Sequence, residues 1–264
     1  MELNLKAFFV ALLSSLLFVI PQLDGLFKIS GFSFVLSIFF GISSAVTQIM
    51  QTKALGNGPT STVTLIFSCG FLIPIFYGLA FWDEAVSLPQ WAGVILLVVS
   101  LTLSIGKSEQ RGKRLVWIPF AVIAMLCSGA SAVLQKTHQY SEFSKEISFF
   151  LVYCLFFSTV FTGLAFLLTK GETKKEAKNL NKKRAFLEKM LLPVCLGAFA
   201  ASLSFLNLTL AGKISSVIQF PTYNVGSMLL ISILSAIIYK DKTTRRQNIG
   251  FLIGIVAILV IGLF

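Results

Sequence analysis

The side chains best able to do chemistry in this chain sit at the edges of its apolar runs, not inside them. All eleven carboxylates (Glu2, Asp24, Asp83, Glu84, Glu109, Glu142, Glu146, Glu172, Glu176, Glu188 and Asp241) fall between such runs or near their ends. A carboxylate that trades a proton for a cationic drug belongs within the membrane, so that chemistry is not expected. The one histidine, His138, and Lys136 close a single run; an interfacial imidazole and a lysine snorkelling to the interface are the expected readings. Cys69, Cys127, Cys154 and Cys195 lie in apolar runs with no CxxC spacing and no His beside them. They read as small core residues, not metal ligands or a disulfide framework. No phosphate-cradling glycine loop, HExxH or GxSxG occurs. ATP-driven transport by this chain alone, common hydrolase chemistry and a cofactor are therefore not expected.

What remains is binding chemistry from uncharged polar groups placed inside apolar runs. QFPTYNVGSM (219–228) stands at the centre of one, Ile214–Tyr239. Gln219, Tyr223 and Ser227 are four residues apart and share a helix face, with Thr222 beside them. Asn224 is rotated about 100° away and is a candidate for bonding a neighbouring helix. Pro221 lacks an N–H for the Val217 carbonyl, so a kink is expected there, and at Pro74. Other runs carry similar stripes: Ser44, Thr47, Gln48 and Gln51; Ser61, Thr64 and Ser68; Ser128, Ser131 and Gln135. Serines of this kind also serve as interhelical glue, at about 0.6 kcal/mol per hydrogen bond. Gln48, Gln219, Tyr223 and Asn224 have more hydrogen-bonding capacity than a tight seam satisfies. They are expected to line a substrate cavity, together with Thr64, Gln135, Thr222 and Ser227.

The elements that must position these groups are membrane helices. The chain is 56% hydrophobic, only 12% charged, and has a mean hydropathy of +0.86; a soluble domain is about 25% charged. Nine runs approach the length needed to cross the hydrocarbon core: 7–23, 32–50, 59–81, 88–105, 115–134, 147–168, 190–210, 214–239 and 248–264. Backbone polar groups in lipid must be satisfied within each segment, so these are helices. The first is read as a retained span, since it lacks a basic n-region beyond Lys6 and a convincing cleavage site.

Charge orients them. With nine spans, one side holds 18 Lys/Arg, eight of them in 169–189, and the other holds four, Lys28, Lys136, Lys145 and Lys213. The N-terminus is expected in the cytoplasm and the C-terminus outside. The net charge of +11 is thus a topology signal and not a nucleic-acid footprint.

A shift of 157 residues lays FWDEAVSLPQWAGVI (81–95) over IYKDKTTRRQNIGFL (238–252). Glu84 meets Asp241, Gln90 meets Gln247, and Gly93 meets Gly250; upstream, Ala54 meets Ala211. The third span maps onto the eighth. An odd separation inverts the second copy, the signature of many secondary transporters. The pairs Gly41/Ala45, Gly197/Ala201 and Gly250/Gly254 read as close helix contacts, the last also as a candidate homodimer face.

EAVSLPQWAG (84–93), DKTTRRQNIG (241–250) and SGASAVLQKTHQ (128–139) resemble the drug/metabolite transporter superfamily, EamA-like branch. Each repeat in that family ends with a short acidic loop and an xxQxxG helix start. The resemblance implies ten spans, five per half, with both termini inside. This chain offers four plus five, so the helix opening the first half is expected to be absent. The related small multidrug exporters carry their membrane acid on that helix.

The expected organisation is an all-α integral membrane, inverted-repeat transporter bundle of about nine transmembrane helices. Residues 1–106 form one repeat half, 107–114 a basic cytoplasmic linker, and 115–264 the other half. The expected activity is secondary transport of a small organic metabolite across the cell membrane by alternating access. Expected partners are that substrate and the lipid bilayer, with no nucleic acid. A lipid-carrier flippase, a membrane-embedded enzyme and a non-transporting subunit are the rival readings.

Overall fold

The computed structural model describes residues 29–58, 60–104, 116–168, 192–224, 226 and 244–263, and their regular structure is helical throughout. The elements are α1 (Gly31–Asn57), α2 (Thr60–Ser68), α3 (Leu72–Phe81), α4 (Leu88–Ser104), α5 (Trp117–Tyr140), α6 (Ile147–Leu168), α7 (Leu192–Ala211), α8 (residues 216–224) and α9 (Arg245–Leu263). Five helical stretches among them are long and apolar enough to cross a membrane: α1, Thr62–Phe81, α5, Ser144–Ala165 and α9. The shorter apolar helices are α4 and the Ser202–Ala211 part of α7. The expected span 7–23 and most of 214–239 beyond α8 lie outside the described residues.

The run 59–81 departs from a uniform helix. A 3₁₀ turn at Cys69–Phe71 joins α2 to α3. Pro74 cannot donate to the Gly70 carbonyl, and the chain tightens just before it. Gly70 and Gly129 of α5 make a close crossing there. A Cβ on Gly129 would lie 2.9 Å from the Gly70 carbonyl oxygen, and one on Gly70 would lie 3.0 Å from that of Met125. At Pro221, by contrast, α8 continues helical to Asn224.

The helices pack as two compact units. Of the described residues, one comprises 29–52 with 134–168 and 192–212; the other comprises 53–58, 60–104 and 116–133 with 213–224, 226 and 244–263. Each unit takes residues from both 1–106 and 115–264.

In the first unit, α1 runs alongside α6. Gly41 permits this: a Cβ there would meet the Phe157 side chain and come within 2.8–2.9 Å of the backbone at Phe157 and Ser158. Phe150, Leu151, Cys154 and Leu208 form the core, with Leu36 and Phe40 of α1 against it. α1 is preceded by Ser30, whose hydroxyl accepts the Ser33 N–H at 3.2 Å, a side-chain cap.

In the second unit, α4 and α9 pack antiparallel. Both begin with the same device. Gln90 Oε1 accepts the Ser87 N–H at 3.0 Å, while Ser87 Oγ accepts the Gln90 N–H at 3.3 Å. Gln247 Oε1 accepts the Thr244 N–H at 2.8 Å, while Thr244 Oγ1 accepts the Gln247 N–H at 3.3 Å. These are reciprocal capping boxes, and they supply a physical reason for the repeated glutamine. The glycine three residues later is also matched. A Cβ on Gly93 would come 3.2 Å from the Ala257 carbonyl oxygen. Ser100 Oγ donates to the Gly250 carbonyl at 2.7 Å. Gly93 is to Ala257 what Gly250 is to Ser100 under the 157-residue shift. Gly250 and Gly254 are buried, so this small-residue stripe is an internal seam facing α4. Gly197 lies where the side-chain surroundings are not described. Phe71, Ile75, Leu97, Leu101, Val217, Phe220 and Ile261 form the main core of this unit, and Ala54, Val63, Trp117 and Ala121 a smaller one.

Candidate functional site

In the second unit, α8 carries four of the expected binding residues and is anchored at its start. The Ser215 carbonyl accepts the Gln219 N–H at 3.0 Å, opening the helix. The first N–H of the helix, of Ser216, donates to Glu84 Oε2 at 2.9 Å. An anion at a helix N-terminus satisfies an orphan donor and opposes the helix dipole favourably. Glu84 is aimed there by the end of α3: the Gly78 carbonyl accepts both the Trp82 N–H at 3.1 Å and the Glu84 N–H at 3.3 Å. The intervening Asp83 takes a φ of +50°, a conformation that Asp tolerates better than most residues. A Cβ at Gly78 would lie 2.6 Å from Glu84 Oε2, so only glycine leaves the carboxylate its place. The acidic loop of the first repeat is thus a helix cap. Asp241, its counterpart, lies outside the described residues.

Along α8, exposure sorts the polar groups. Gln219 and Phe220 are buried, whereas Thr222 and Tyr223 are exposed, Tyr223 at 46%. Asn224 Nδ2 donates to the Phe220 carbonyl at 2.9 Å, so this bond stays within its own helix. Thr64 on α2 is also exposed. Ser227 lies outside the described residues.

In the first unit the polar groups form two sets. Ser44 and Ser158 hydroxyls are 3.0 Å apart across the α1–α6 seam, a pairing consistent with glue. Gln48 follows Ser44 by one turn, and Thr162 follows Ser158 by one turn. Thr162 Oγ1 is buried without a hydrogen-bond partner among the described residues. Sequence reasoning missed Thr162. Its signal was Ser158, Thr159 and Thr162 recurring at helical spacing in an otherwise apolar run. The second set joins Gln135, whose Oε1 accepts Asn207 Nδ2 at 3.4 Å.

The ionisable residues at the end of α5 differ from expectation. α5 extends to Tyr140, six residues beyond the expected end of that run, so Lys136 and His138 lie within it. Both are completely buried. Lys136 is enclosed by protein; its Nζ sits 5.6 Å from the Tyr140 ring centroid, within reach of a cation–π contact. His138 is enclosed by protein as well. Its ring stacks on Phe150 at 3.9 Å and 8°. Its nitrogens are paired with Ser33 Oγ at 3.2 Å and Gln139 Nε2 at 3.1 Å. The helix is longer because packing against α1 and α6 supplies partners that the polar string QKTHQ lacks by itself.

Among known proteins, a family model described as "EamA-like transporter family" matches residues 115–263. No curated protein sequence matches the chain. One solved structure, described only as the crystal structure of a protein, is similar with a TM-score of 0.58 and 13% identity, covering 100% of this chain and 99% of that one. At that identity the likeness speaks to the fold alone.

Proposed function

Because the chain belongs to the EamA-like transporter family, part of the drug/metabolite transporter superfamily, we propose that it is a multi-pass secondary transporter of the cell membrane, moving a small organic metabolite by alternating access of two inverted repeats. The observation that carries this reading is the matched pair of capping boxes with the reciprocal Gly93–Ala257 and Ser100–Gly250 contacts. Two copies of one unit in opposite orientations generate contacts that interchange under the repeat shift.

The substrate is held by uncharged groups. Tyr223 offers an aromatic wall and one hydroxyl, which suits an amphipathic metabolite, and Thr222 adds a second hydroxyl on the exposed side of α8. Gln219 supports that helix from its buried side, and Gln48, Thr64, Gln135, Asn224 and Ser227 remain proposed contributors. Glu84 keeps α8 in place and does not select the substrate. In purified, reconstituted protein, a panel of amino acids, nucleosides and sugars should yield at least one compound that exchanges across the liposome membrane. Tyr223→Phe should weaken its half-saturation about two- to tenfold, the loss of one neutral hydrogen bond of about 0.5–1.5 kcal/mol. Flux unchanged in Tyr223→Ala would remove α8 from the site.

A further inference from the structure

Building on the transporter reading above, we propose that Thr162 contacts the substrate, and that the group it holds is an uncharged hydroxyl, so that sugars or nucleosides are carried in preference to amino acids. A threonine inside a helix can satisfy its hydroxyl by donating back to the carbonyl four residues earlier. Thr47, Thr52, Thr159 and Thr209 do this, at 2.7–2.8 Å. Thr162 does not. It is only 4% exposed, and its Oγ1 bonds neither the Ser158 carbonyl nor any other group among the described residues. A buried hydroxyl without a partner destabilises the fold. Local rules broken at a cost to stability concentrate at functional sites.

The position of Thr162 in the first unit follows from the register of two helices. α1 and α6 run parallel: Ser30 bonds Glu146 just before both begin, and Ser44 bonds Ser158 farther along. The seam is tight at Gly41, where a Cβ would come within 2.8–2.9 Å of the backbone at Phe157 and Ser158. Next come Ser44 and Ser158, whose hydroxyls satisfy each other at 3.0 Å. One turn beyond, on the same faces, stand Gln48 of α1 and Thr162 of α6. The parallel register brings these two to one level of the seam. There the half-buried carboxamide of Gln48 and the enclosed hydroxyl of Thr162 replace the self-satisfied serine pair.

Charge decides what kind of group can be held there. α1 carries one charged side chain, Lys53, which is exposed with its Nζ 5.8 Å from the Phe120 ring centroid; α6 carries none. A carboxylate or an ammonium beside Thr162 would find no countercharge on either helix at that level. Burying an unpaired ion costs far more than burying a hydrogen-bonded hydroxyl. A hydroxyl donates and accepts at one atom, and so matches Thr162, which does both. Gln48 adds two N–H donors and a carbonyl acceptor. A sugar or a nucleoside presents adjacent hydroxyls, one for each helix. An amino acid brings two charges for which these helices hold no partner.

Thr162→Val tests this, because valine keeps the shape of threonine and removes the hydroxyl. A threonine that serves structure, or that holds only a buried water, loses stability on this change. A hydroxyl kept for substrate does the opposite. In the purified protein without added compound, the midpoint of thermal unfolding of Thr162→Val should rise, by about 2 °C or more. In liposomes, its half-saturation for D-glucose or uridine should weaken about two- to tenfold, and Thr162→Ser should restore the wild-type value. A lower midpoint in Thr162→Val, or an unchanged half-saturation, overturns the assignment. Flux of amino acids alone, indifferent to Thr162→Val, also overturns it and leaves the transporter reading intact. Binding of D-glucose or uridine, read as thermal stabilisation in detergent and weakened in Thr162→Val, with no flux of any compound in liposomes, upholds the hydroxyl site and overturns the transporter reading.

Discussion

The Glu84 cap makes a quantitative prediction through Gly78. Placing alanine at 78 puts a methyl group 2.6 Å from Glu84 Oε2 and 3.1 Å from Ser216 Oγ, well inside contact distance for the carboxylate. The carboxylate ends a flexible side chain, so it moves away from the Ser216 N–H and the cost is that of the lost cap, about 0.5–2 kcal/mol. Glu84→Ala removes the acceptor of the Ser216 N–H, and loss of a helix cap costs about 0.5–2 kcal/mol. The two penalties have one physical origin, because the methyl group displaces the same carboxylate that alanine at 84 deletes. A double-mutant cycle should therefore be non-additive. Gly78→Ala combined with Glu84→Ala should be less destabilised than the sum by about 1 kcal/mol or more. Unfolding free energies in mild detergent measure this directly. Glu84→Gln, which keeps an acceptor and loses the charge, should fall between wild type and Glu84→Ala. All these variants should keep the wild-type order of substrate preference. Additive penalties would show that Gly78 and Glu84 act independently, and an altered preference order would put Glu84 in the binding site.

The matched capping boxes predict that Gln90→Ala and Gln247→Ala each destabilise by about 1 kcal/mol, measured by unfolding in detergent; a neutral effect at either site would break the equivalence of the two helix starts. Gly41→Ala should lose about 1–3 kcal/mol and loosen the α1–α6 seam, seen as faster hydrogen exchange along α1, because the backbone of α6 blocks the new methyl group. Phe220→Leu should lower stability while leaving half-saturation near wild type, since Phe220 is a core residue and Tyr223 is the exposed one. A reporter fused after Phe264 should behave as extracytoplasmic; cytoplasmic activity would overturn the span count and the charge argument together.

Much of the helical framework was legible because it depends on local chemistry. Long apolar runs have one way to satisfy their backbone in lipid, and the runs near 32–50, 88–105, 147–168 and 248–264 are helices in the structure. The glutamines and glycines of 84–93 and 241–250 were visible as a repeat for a related reason: a capping box needs its two partners three residues apart. The Gly41 and Gly250 contacts followed from small residues recurring on one helix face.

Tertiary structure decided whatever depended on residues far apart in the chain. That Glu84 caps α8 requires position 216 to come to it across 132 residues, and no local pattern specifies such a meeting. The protein burial of Lys136 and His138 was illegible for the same reason. In isolation, burying a lysine and an imidazole costs more than leaving them at the interface, so the sequence favours exposure. Ser33 from 105 residues away, the Phe150 ring and the Tyr140 face change that balance and carry α5 to Tyr140. Along α8, periodicity grouped Gln219 with Tyr223, but packing against Phe71, Ile75 and Ile261 determined which part of that helix is core and which is open.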